Sequence, residues 1–105
     1  MAITFYVADN IKEVRNNGNF VIFYEDIYEF LKNSLNGSNA ELLLGLDRDG
    51  DKIFSTDEIK QLQGICRQLV NLYTQEEKII NFANKLIDLC SLSMTTGKSI
   101  IAFGD

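Results

Sequence analysis

Aspartates alternate at positions 47, 49 and 51, and Glu58 closes the same twelve-residue stretch. No other segment restricts the fold of this chain so strongly. Four carboxylates this close repel one another unless something neutralises them. Alternate residues of a tight loop can aim inward together, and a distant glutamate can close the cage with both oxygens. That arrangement suits a hard cation, which takes about six to eight oxygen ligands. Apolar residues flank the stretch at helical spacing: Leu42, Leu43 and Leu46 before it, and Ile59, Leu62, Ile65, Cys66 and Leu69 after it. Ser38 with Glu41 reads as a capping box for the incoming helix.

Helix, twelve-residue loop, helix is the EF-hand plan, and residues 38–70 resemble it. The resemblance implies a calcium ion. Asp47, Asp49 and Asp51 would give side-chain oxygens, Ile53 its backbone carbonyl, Ser55 a direct or water-mediated contact, and Glu58 a bidentate carboxylate. The sequence departs from the family at the sixth loop position, where glycine makes a sharp turn and this chain has Lys52. A left-handed backbone at a non-glycine residue costs about 1–2 kcal/mol, so a weakened site is expected. Phe54 keeps the apolar character of position eight. The same residues also read without an ion: Asp49-Gly50 is a tight-turn signal, and Ser55-Thr56-Asp57-Glu58 is a capping box. No second loop of this kind follows. A lone hand has to be braced by the rest of the domain, which favours a structural ion over an opening switch.

The ends of the chain read differently. Ile3, Phe5 and Val7 alternate with Thr4, Tyr6 and Ala8 as a first strand. Ile11 to Arg15 leans to a second strand. Asn16-Asn17-Gly18-Asn19 is a turn signal, and Phe20-Val21-Ile22-Phe23 reads as a strand apolar on both sides. Ile27, Phe30, Leu31 and Leu35 mark a short helix that Asn36-Gly37 ends. Thr74 with Glu77 is a capping box for a last helix, whose buried face is Ile79, Ile80, Ala83, Leu86, Ile87 and Cys90. Thr95-Thr96-Gly97 turns into a final apolar strand, Ser99 to Phe103. The expectation is one α+β domain over residues 1–105. An N-terminal hairpin or meander and the C-terminal strand share one sheet, with about four helices between them, including the EF-hand-like pair.

Composition narrows the function. The chain has no histidine, which removes the usual general base near neutral pH and the Ser-His and Cys-His nucleophile pairs. A non-enzyme is expected. Gly97-Lys98-Ser99 imitates the end of a phosphate-binding loop, but Leu92 stands where the first glycine is needed. The net charge of −5 argues against nucleic acid, whose binding needs clustered Lys and Arg, and favours a basic partner or a cation. Tyr24, Glu25, Asp26, Tyr28 and Glu29 form an acidic, aromatic stretch that reads either as a solvated helix face or as a contact patch for such a partner. No run reaches membrane-spanning length and no signal segment is legible, so a cytoplasmic protein is expected. Cys66 and Cys90 fall on apolar helical faces and read as buried thiols, with a disulfide between them left open. The leading reading is a small acidic binding protein with one calcium loop, acting through protein–protein contact. Size and acidity are similar in class to immunity proteins that block basic bacterial toxin nucleases, with no ion needed. A calcium buffer or sensor is the other alternative.

Overall fold

Alternating burial sets the sheet. In the computed structural model, which describes residues 2–10, 19–34, 41–46 and 50–104, the strands are β1 (Ala2–Ala8), β2 (Phe20–Tyr24), β3 (Asp51–Phe54) and β4 (Ser99–Gly104). They form one antiparallel sheet in the order β2-β1-β4-β3. The helices are α1 (Glu25–Ser34), α2 (Glu41–Leu44), α3 (Thr56–Leu72) and α4 (Glu77–Thr96). The fold is therefore α+β, with the terminal strands β1 and β4 side by side. The expected strand at 11–15, the turn through Gly18, the helix end at Asn36-Gly37 and the Ser38 cap lie outside the described residues.

One sheet face carries Ile3, Phe5, Val7, Val21, Phe23, Phe54, Ile100 and Ala102, all buried in the main core. The period of two puts these residues on the same side. α4 covers this face, touching β1, β2 and β4, and α3 packs on α4. Gln63 of α3 is a buried polar residue in the seam between the two helices. Its side-chain amide donates to the Ile87 carbonyl at 3.3 Å and to Ser91 Oγ at 2.9 Å. A buried amide must find such partners, because leaving it unsatisfied costs about 1–3 kcal/mol. Cys66 and Cys90 are buried free thiols. Burial pushes both thiol pKa values up, Cys90 to about 12, so neither is a ready nucleophile.

Two helix ends differ in how well the sequence marks them. Gly97 has φ 73° and caps α4 in the left-handed conformation, which only glycine adopts at no steric cost. Ser93 Oγ donates to the Lys98 carbonyl and fastens that corner. The start of α4 is a correction. The N-cap is Glu76, with no side-chain cap bond, so Thr74 and Glu77 do not form a capping box. The Tyr73 carbonyl instead accepts the Glu76 amide at 3.1 Å, and this turn delays the helix by two residues. α2 is a single turn that ends at Leu44, so Leu46 lies beyond it rather than within it.

Candidate metal centre and acidic patch

Of the six residues expected to hold calcium, Asp51, Ile53, Ser55 and Glu58 are described; Asp47 and Asp49 lie outside the described residues. Ser55 is the N-cap of α3. Its Oγ accepts the Glu58 amide at 3.2 Å, and Glu58 Oε1 accepts the Ser55 amide at 3.0 Å. This reciprocal box satisfies two orphan amides at the helix start. It also fixes Glu58 in the first turn of α3.

The sheet braces the loop. β3 pairs with β4, and the Gly104 amide donates to the Gly50 carbonyl at 2.8 Å. Bonded and non-bonded pairs alternate along an antiparallel ladder. Lys52 and Phe54 therefore face β4 through their backbone, while the amide and carbonyl of Asp51 and Ile53 point to the free edge. Side chains alternate too. Phe54 is buried in the core and Ile53 is exposed. Asp51 shares the outer side with Ile53, and Lys52 shares the inner side with Phe54.

Lys52 corrects the sequence reading. It lies in β3, and no non-glycine residue among those described has a positive φ. The expected left-handed strain at loop position six is absent, because pairing with Ala102 of β4 holds the backbone extended. What Lys52 brings instead is its ammonium. Nζ lies 2.9 Å from Glu58 Oε2 and 5.3 Å from the centre of the Phe54 ring. The Glu58 pKa is held below the ordinary carboxylate value, first by the Ser55 amide and then by the Lys52 ammonium.

The donors fit a divalent cation in kind: a strand carbonyl at the open edge, a serine oxygen and a carboxylate. The charge arrangement fits only after a rearrangement, since both Glu58 oxygens already have partners and one of these is a cation. Asp51 also leaves the strand on the side opposite Lys52. Among the described residues, no three acidic or cysteine side chains stand together as a metal cluster. The sequence puts the Lys52 charge near the cation site, but its long stem can equally carry the ammonium into water; spacing alone does not show that it turns back onto Glu58.

The acidic, aromatic stretch sits where β2 runs directly into α1. Tyr24, Glu25, Asp26 and Glu29 are exposed. Tyr28 is half-buried: its ring meets Phe23 edge-on at 5.8 Å and its hydroxyl donates to the Leu44 carbonyl at 3.2 Å. Tyr28 thus holds α1 to α2, while the other four face solvent. Asp26 also pairs with Lys78 at 3.3 Å across an exposed surface. No helix among the described residues is long and apolar enough to cross a membrane. The chain matches no protein-family model, no curated protein and no solved structure.

Proposed function

We propose that this chain is a small acidic binding protein without catalysis, which holds a structural calcium ion at residues 47–58 and engages a protein with a basic surface. The observation that carries the ion is the placement of Glu58. The Ser55 cap holds it at the end of a loop anchored on one side by β3–β4 pairing and on the other by α3. A paired hand would brace its loop with a second loop strand; here β4 takes that place. Calcium would draw on Asp47, Asp49, Asp51, the Ile53 carbonyl, Ser55 and Glu58, with Lys52 moving off Glu58. Opening the loop as a sensor does would mean pulling Phe54 and Ile59 from the core, so a structural ion is the better reading than a switch.

Calorimetric titration is expected to give a calcium dissociation constant between ~10⁻⁵ and ~10⁻³ M. Millimolar calcium is expected to raise the melting temperature, since a ligand bound only by the native state stabilises it. Binding of a dye for apolar surface should not change. Absence of both heat and thermal shift removes the ion from the proposal.

The partner reading rests on the net charge of −5 and on the exposed Tyr24, Glu25, Asp26 and Glu29. A basic toxin nuclease, whose cleft is lined to receive phosphate, is the class of partner this charge fits best. Glu25→Lys with Glu29→Lys should slow association severalfold at low salt and leave stability nearly unchanged. An on-rate indifferent to salt and to both substitutions points to an apolar contact elsewhere.

A further inference from the structure

The two edges of the sheet are built differently. β3 is short and begins Asp51-Lys52, a charged edge of the kind that discourages pairing. β2 is Phe20-Val21-Ile22-Phe23-Tyr24, with no charge and no proline. Residues of this kind on an open edge are a template for another strand.

The register tells which backbone groups are offered. The Val7 amide donates to the Asn19 carbonyl at 3.4 Å, and β1 pairs Phe5 with Val21 and Ile3 with Phe23. By ladder alternation those are the bonded pairs. The backbone groups of Phe20 and Ile22, and the Tyr24 amide, therefore point away from β1. Their side chains all leave on the outer face, where Phe20 is 49% and Tyr24 54% exposed. An aromatic row already runs toward this edge: Phe103 to Tyr6 at 6.2 Å, then Tyr6 to Phe20 at 6.0 Å.

We infer that the edge of β2 pairs with β2 of a second copy, across a two-fold axis at Ile22. A symmetric contact must be self-complementary, and this strand is. An axis on Ile22 brings outward-pointing residues opposite outward-pointing residues, as bonded antiparallel pairs require. Ile22 exchanges both backbone bonds with its mate. The Tyr24 amide of each copy reaches the Phe20 carbonyl of the other. On the outer face, Phe20 stacks across the seam on the mate's Tyr24 and extends the aromatic row. The strand carries no charge to clash at the axis, and among the described residues the joined sheet ends on the two charged β3 edges. This surface lies at the opposite edge of the sheet from β3, so it does not depend on calcium.

Sedimentation of the full chain tests this. The weight-average mass is expected to rise from 11.9 kDa toward twice that value between about 10 and about 500 µM, the range of a small interface. Added salt should favour the dimer, because screening relieves repulsion between two chains of charge −5. Ile22→Pro removes an amide that β1 does not use, so the variant should fold and stay monomeric. Ile22→Lys, which places a charge at the axis, should also be monomeric and serves if the proline variant does not fold. Wild-type protein that stays monomeric throughout overturns the inference and leaves the edge to a strand of another protein. A dimer that survives Ile22→Lys with its folding intact overturns it as well.

Discussion

Phe23→Ala is expected to lower the free energy of unfolding by about 3–5 kcal/mol. Phe23 is 1% exposed and sits where four elements meet. It stacks on Phe82 of α4 at 4.7 Å and 17°, tilts against Phe5 of β1 at 6.4 Å, and takes the edge of Tyr28 of α1 at 5.8 Å. Removing the ring withdraws apolar area from the core and leaves a cavity that the sheet on one side and α4 on the other cannot both move to fill. In a domain of this size each 1 kcal/mol is worth about 4–8 °C in melting temperature, so a fall of at least ~12 °C should be seen. Tyr24→Ala, one residue further along the same strand but exposed, should change stability by no more than ~0.5 kcal/mol. Urea unfolding followed by circular dichroism measures both. A loss below ~1 kcal/mol for Phe23→Ala would mean that β2 does not hold α4 as described.

That contrast is not legible in the sequence, where Phe20 to Phe23 reads as apolar on both sides; Val21 and Phe23 are buried and Phe20 is 49% exposed because the main core lies on one face of β2 only. Ile3, Phe5 and Val7 announce β1 by alternation, Ile59 to Leu69 announce α3 by helical spacing, and Gly97 announces the end of α4 by the left-handed conformation that glycine adopts at no steric cost. These signals are local. β3 was not legible as a strand, because Asp51 and Lys52 are poor strand formers and their partners, Phe103 and Ala102, lie at the far end of the chain. Only pairing makes the segment extended. Thr74 failed as a cap for a related reason: its spacing to Glu77 is right, but the turn from Tyr73 to Glu76 sets the helix start instead. For the loop, the resemblance supplied a backbone for Lys52 that the sheet does not allow.

The second large effect concerns that lysine. If its ammonium on Glu58 limits calcium binding, Lys52→Gln should tighten binding about three- to tenfold, the scale of one displaced surface ion pair plus one removed like charge. Lys52→Gly should gain no more than Lys52→Gln, because the backbone at 52 is extended and has no left-handed strain to relieve. Glycine should in fact weaken β3 slightly. Tightening by glycine alone would restore the strain account and remove the competing-ammonium one. Glu58→Gln should weaken calcium by about a hundredfold, since a neutral amide offers one oxygen where the carboxylate offers two and a charge. Without calcium the same change should cost little: glutamine still completes the capping box, and an exposed ion pair is worth at most ~1 kcal/mol. Acid should reveal what is lost. A carboxylate whose pKa is depressed by folding contributes stability that is present above its unfolded pKa and disappears as pH falls through the lower, folded value. Unfolding curves taken from neutral pH into the acid range should therefore slope less in Glu58→Gln than in wild type. Equal slopes would mean that neither the Ser55 amide nor the Lys52 ammonium holds the carboxylate in solution.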